Sequence, residues 1–166
     1  MKTFCLTTVI VVFLLCCTNG IQAQTTQTKL NQVELMKQFL GAWKSEMVQD
    51  TIWTGEGKSF GNGIELYFKG ESKGKMVSEM KSLMGYDKKN DKLIEVDLMK
   101  GSDIMVYAFW FKLKNTCIEI PYEYIANPEK APFKWDIEFK SPDLFVQTMT
   151  KDNKIVQVMT FKREKM

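Results

Sequence analysis

Leu35-Met-Lys-Gln-Phe-Leu-Gly-Ala-Trp-Lys-Ser-Glu-Met47 changes its hydrophobic period at Gly41. Upstream of it, Leu30, Val33, Met36 and Leu40 recur at helical spacing, with Asn31 and Glu34 placed as a capping pair and Gly41 as the stop. Downstream, Trp43, Ser45 and Met47 fall on one side of the chain and Lys44 and Glu46 on the other, the period of a strand. The stretch therefore predicts a short helix of about three turns over residues 30–40, running straight into the first strand.

Further along, the period of two persists. The first strand is expected to carry Gln49, Thr51 and Trp53 on the Trp43 face, with Gly55-Glu-Gly57 and Gly61-Asn-Gly63 bracketing a turn. Ile64, Leu66 and Phe68 oppose Glu65, Tyr67 and Lys69, and after a turn at 70–74 the inner face continues through Met76, Ser78, Met80 and Ser82. Ile94, Val96 and Leu98 alternate with Glu95 and Asp97, whereas residues 104–112 are apolar on both faces, so that strand is either covered outside or offered to a partner. Strands are also expected at 116–122, 133–140, 144–150 and 155–163. The cleanest alternation sets Phe133, Trp135, Ile137 and Phe139 against Lys134, Asp136, Glu138 and Lys140. These nine runs, with no helical crossover between them, predict an all-β fold: an antiparallel up-and-down β-barrel of about 8–10 strands with a short N-terminal helix, preferred over a sandwich.

The 166 residues suit one domain, expected at 30–166, behind a signal peptide at 1–23 and a flexible polar spacer at 24–29. Lys2, the apolar run 6–17 and Ile21-Gln22-Ala23 have the order of a secretory leader, and the run is too short to span a bilayer. The expected location is periplasmic or extracellular, with no transmembrane segment. Lipoprotein anchoring at Cys16 or Cys17 is the less favoured alternative, because Leu15 or Cys16 stands where a small residue normally precedes the lipidated cysteine. Beyond the leader only Cys117 remains, so no intrachain disulfide is expected, and its strand-like setting marks it as an inert, half-buried thiol. Removal of Lys2 leaves 22 basic residues against 20 acidic ones, which offers no electrostatic footprint for nucleic acid.

Gly41-Ala-Trp43, just after a short helix and at the start of the first strand, resembles the opening of the lipocalin and calycin superfamily of small-ligand barrels. The resemblance extends by pattern over 30–165. It departs from classical lipocalins in having no disulfide, and is most similar to exported bacterial lipocalin-like domains of unassigned role, whose Leu-x-x-Leu-x-Gly-x-Trp opening resembles residues 39–43. It implies that Trp43 closes one end of the barrel beneath an arginine from the last strand. Arg163, the sole arginine beside 22 lysines, occupies that place. A planar guanidinium suits stacking on an indole better than an ammonium does.

No histidine occurs, which removes Ser-His and Cys-His nucleophile pairs and histidine-ligated zinc or haem. No metal or cofactor is expected. Residues 70–76 resemble a phosphate loop only superficially, since the glycine spacing is one residue short and Met76 stands where Ser or Thr is required. Glu95 with Asp97, and Asp136 with Glu138, are same-face carboxylate pairs, but each alternates with apolar residues and is expected on the solvent side.

The inward-facing set is rich in methionine and aromatic residues, which suits either a solid core or an adaptable pocket; serines and glutamines scattered among them favour the pocket. Trp53, Phe68, Met76, Met80, Trp135 and Phe139 are the expected ligand-binding residues, and Trp43 and Arg163 the closure. The expected function is an exported binding protein holding a small apolar or amphipathic molecule. The alternative is a filled barrel that docks through residues 104–111, Phe109 and Phe111 included, on an envelope protein or a second copy as a homodimer. An enzyme is disfavoured for want of an acid-base pair.

Overall fold

Asn31 opens the first element, its side chain accepting a hydrogen bond from the Glu34 amide at 3.2 Å. The computed structural model describes residues 29–165, so the expected leader and residues 24–28 of the spacer lie outside the described residues. Helix α1, Gln32–Met36, tightens into a 3₁₀ turn at Lys37–Phe39 and stops at Gly41, whose φ of 102° is a conformation open to glycine. Beyond it run β1 (Gly41–Ser45), β2 (Ile52–Phe60), β3 (Gly63–Ser72), β4 (Lys75–Asp87) and β5 (Lys92–Met99). β6 (Met105–Leu113), β7 (Thr116–Pro121), β8 (Phe133–Ser141), β9 (Leu144–Lys151) and β10 (Lys154–Arg163) complete the set, with 3₁₀ turns at Tyr122–Tyr124 and Pro128–Lys130.

Each strand pairs antiparallel with its neighbour in sequence, and β1 pairs with β10 to close the barrel. The expected all-β antiparallel barrel with one short N-terminal helix is the architecture observed. Closure runs through the pairs Trp43–Arg163, Lys44–Lys162 and Ser45–Phe161, at the end of β10.

The count is ten strands rather than nine because the expected first strand is two. Gln49 and Asp50 take positive φ values of 50° and 61° between the paired Val48 and Thr51, turning the chain back on itself. The expected turn at Gly55-Glu-Gly57 is instead the middle of β2, where Gly55 pairs with Trp43 and Gly57 with Gly41. A side chain at Gly55 would collide with the Phe68 ring, and one at Gly57 with the Phe39 carbonyl. These glycines admit close packing inside the barrel and do not punctuate the chain.

The helix end of the barrel is filled. Phe39 packs edge-on against Phe139 and Phe109 with centroids 5.0 and 5.5 Å apart, and Trp43 against Phe145 at 4.8 Å. Each such ring contributes roughly 1.5–3 kcal/mol by burial. Gln32 fastens the helix to β6: its amide donates to the Phe111 carbonyl at 3.1 Å and accepts from the Phe111 N–H at 2.8 Å. The register shift between Phe111 and Leu113 falls at this junction.

The middle of the outer face of β6 is covered by the protein's own residues, while Val106 near its start stays exposed. Ala108 is fully buried between Ile94 and Ile120, and the Lys92 ammonium lies 3.4 Å from the centre of the Trp110 ring. Phe109 and Phe111 point inward and are buried, so neither is available to a partner. Among the described residues no helix is long and apolar enough to cross a membrane.

Candidate functional site

Away from the helix, the aromatic packing gives way to a cavity of about 290 Å³. Every strand from β2 to β10 contributes to its wall, and Phe39 with Phe145 and Phe161 forms its floor. Half-buried Trp53, Met80, Met99, Met105 and Trp135 stand towards the opposite end, where the cavity opens. The wall is aromatic and thioether-rich, a surface that follows the shape of its contents.

Four of the six residues expected to meet a ligand, Trp53, Phe68, Met80 and Trp135, line this cavity. Phe139 does not. It is buried in the filled end, stacked on Phe111 and edge-on to Phe39. Met76 does not either: a register shift between Gly70 and Glu71 interrupts the β3–β4 ladder just before it, and its side chain is 52% exposed near the hairpin tip. Residues 70–76 form that hairpin rather than a phosphate loop. Met47, expected inward, is likewise exposed, because the β1–β2 turn carries it out of the barrel.

At the filled end, Arg163 lies over Trp43, its guanidinium carbon 4.1 Å from the ring centre. Its nitrogens donate to the carbonyls of Leu40, Gln38 and Pro142, and it pairs with Asp143 at 3.2 Å. The Trp43 indole N–H donates to the Phe39 carbonyl at 3.0 Å. One guanidinium thus joins the helix, the first strand and the last, which a lysine's single nitrogen cannot do.

The largest departure from expectation concerns the acids. Glu95 and Asp97 face the cavity rather than solvent, 6% and 5% exposed, while Ile94, Val96 and Leu98 face outward. The face of β5 is set by Leu93, fully buried and paired with Phe109, and a period of two then carries positions 95 and 97 inward with it. Glu119 on β7, flanked by apolar neighbours, joins them at 7% exposure. Sequence reading passed over Glu119; a lone acid inside the apolar run Cys117-Ile118-Glu119-Ile120 was its only signal. Asp136 and Glu138 do lie outside, paired with Lys134 and Lys140 at 2.8 and 2.6 Å.

The register lays the acids out in adjacent rows. Ser82 pairs with Asp97, Glu95 with Tyr107, and Phe109 with Glu119. Along β5 the two carboxyl-bearing positions are about 6.6 Å apart, from the strand rise. Burial, and after it the negative charges of Glu119 and Asp97, holds the Glu95 carboxyl well above the usual range. Burial pushes Glu119 up to about 8, with Asp97 adding to it, and also raises Asp97. Tyr107 is raised by burial and then by the same carboxylates, its hydroxyl donating to Met105 Sδ at 3.1 Å.

Two buried oxygens in this cluster, Ser82 Oγ and Asp97 Oδ1, find no hydrogen-bond partner outside it, and Ser82, Glu95 and Asp97 interact only with one another. The serines expected inside therefore divide: Ser45 accepts from the Trp53 amide at 2.8 Å, and Ser82 meets only the acids Glu95 and Asp97. Among the described residues no grouping of acids and cysteine has the geometry to hold a metal ion. Cys117 is fully buried rather than half-buried, and burial pushes its thiol well above the ordinary value.

No family model matches the sequence, and no curated protein matches it either. The ten-stranded closed antiparallel barrel is compatible with a lipocalin-like fold. Fold alone does not carry a function.

Proposed function

We propose that this is an exported lipocalin-like binding protein that holds one small apolar or amphipathic molecule inside its barrel. The observation that carries the reading is the half-enclosed cavity of about 290 Å³. Its size is close to the lower end for small-molecule sites, and its lining joins apolar rings and thioethers to a few polar groups. A filled barrel would have no such space. The sequence of residues 1–23 supports export, to the periplasm or the cell exterior.

Titration with N-phenylnaphthylamine, a neutral fluorophore that brightens in apolar surroundings, tests the reading. Saturable enhancement at one probe per chain, accompanied by quenching of Trp53 and Trp135, is expected. Absence of saturable binding at millimolar probe refutes it. Native mass spectrometry of the protein taken from its own cell envelope checks export by the mass of the chain, and cargo by any mass released on denaturation.

A second reading rests on the outer surface, where Leu83, Leu98, Ile104 and Val106 are 42%, 49%, 65% and 37% exposed. These neighbours on β4, on β5, just before β6 and on β6 make an apolar patch at the edge of the 104–111 stretch, the kind of surface that a second copy or an envelope protein would cover. Light scattering of Val106→Ser against wild type decides whether self-association uses it.

A further inference from the structure

We propose that the cavity is built for an organic cation, a protonated amine carrying an apolar body, with its ammonium held by Glu95, Asp97 and Glu119. This rests on the reading of the barrel as a binding protein. Three carboxyl groups share an apolar cavity, and no lysine or arginine among the described residues lines it. Buried acids are normally paired with a base or a metal. Here the protein supplies neither, and Asp97 Oδ1 and Ser82 Oγ are buried on the same wall with no partner beyond the cluster itself.

A guest ammonium has the positive charge that this wall lacks. Its three N–H groups match acceptor-only carboxylates. The aromatic faces of Trp53, Trp135 and Phe68 line the rest of the space, and attract a cation while accommodating an apolar body. An anionic guest such as a fatty acid would meet three acids and no base. Charge thus selects against the ligand class that apolar lining alone would suggest.

The groups facing these carboxyls can be named element by element. β6 presents Tyr107, and β7 presents Cys117, with Glu123 just beyond it. β4 and β8 present Met80, Met84, Trp135 and Ile137, and the far wall Gln147 and Gln157, none of which titrates. Without a guest Glu119, pushed up to about 8, holds its proton at neutral pH, and burial raises the Glu95 carboxyl as well. An arriving ammonium converts a carboxylic acid to carboxylate and sends its proton to the buffer. Affinity for an amine should therefore rise with pH up to about 8, while the amine itself stays protonated.

Calorimetric titration of the purified full chain with naphthylethylamine, naphthylethanol and naphthylacetate tests this. Expected are an amine at least tenfold tighter than the alcohol, no measurable binding of the acid, and proton release seen as a binding heat that depends on the buffer. In Glu119→Gln and Glu95→Gln the preference for the amine should collapse and the alcohol should still bind. Equal, pH-independent binding of amine and alcohol overturns the inference but leaves the binding protein standing, as does tighter binding of the acid. A preference for the amine that survives both substitutions overturns the assignment of these carboxyls. Failure of all three probes, and of N-phenylnaphthylamine, overturns the binding reading along with it.

Discussion

Glu119→Gln should stabilise the protein, and by an amount that grows with pH. Glu119 is 7% exposed in an apolar wall, and its carboxyl is pushed from an ordinary 4.5 up to about 8. Below 4.5 the acid is protonated in both folded and unfolded chains and costs nothing. Between 4.5 and 8 the unfolded chain ionises while the folded chain does not, so stability falls as pH rises, and above 8 the loss levels off. The full gap corresponds to about 5 kcal/mol, and solvent entering through the open end of the cavity screens part of it. Glutamine matches glutamate in shape and has no proton to lose.

The variant should therefore equal wild type within about 1 kcal/mol at pH 4.5 and exceed it by about 2–4 kcal/mol at pH 8.5. For a urea slope of about 1.5–2 kcal/mol per molar, that moves the midpoint by about 1–2 M. Comparing the two proteins at each pH cancels the titrations that Glu119 does not touch, and Glu95, raised in part by the Glu119 charge, changes the difference in the same direction. Asp87 and Asp91, whose carboxyls are lowered by hydrogen bonds from Asn90 and Tyr86, act below the window in any case, because the stability they confer is lost only as pH falls below the ordinary carboxylate range. Urea midpoints that coincide at every pH, or a wild type more stable at pH 8.5 than at pH 5, would refute the burial of this acid in an apolar wall.

Trp43→Ala removes a fully buried indole from the filled end and should cost roughly 3–5 kcal/mol in urea unfolding. Arg163→Lys keeps the charge but not the fork over Trp43, and should lower stability by roughly 1–2 kcal/mol with little change in probe binding. Gly55→Ala drives a methyl group into the Phe68 ring; thermal unfolding should show a loss of about 1–3 kcal/mol, and because Phe68 lines the cavity, N-phenylnaphthylamine should bind less tightly.

The stability cost of the buried acids bears on the proposed cargo. Groups that disfavour the empty fold are retained where they meet something. In this barrel they lie on one wall of the cavity, at the other end from the guanidinium that ties Arg163 to the helix. Closure and the proposed binding wall are thus separate, so substitutions at Trp43 and at Glu119 should give separable effects.

Much of the architecture could be read in the residues themselves. The change of period at Gly41, the Asn31 cap and the alternation through Phe133, Trp135 and Ile137 specify helix and strand locally, because backbone and side-chain geometry act over a few residues. The antiparallel barrel followed from short connections and the absence of crossovers. Which face of a strand points inward is a different kind of fact. Along β5 both faces are defensible, one of Leu93, Glu95, Asp97 and Met99, the other of Ile94, Val96 and Leu98, and apolarity alone chooses the second. The closed barrel chooses the first. Leu93 must pack on Phe109 at the filled end, and every second residue after it then turns inward.

The same dependence on pairing removes Met76 from the cavity through an extra residue, Val77, on β4, and it seats Glu119 beside acids more than twenty positions earlier in the chain. The sequence by itself determined the strands from Gly63 onward, their order and the aromatic stock of the interior, but not the hairpin that divides the first strand in two. Only the tertiary structure decided that three carboxyls share a cavity, because inward direction is set by closure around the whole ring of strands and not by any strand alone.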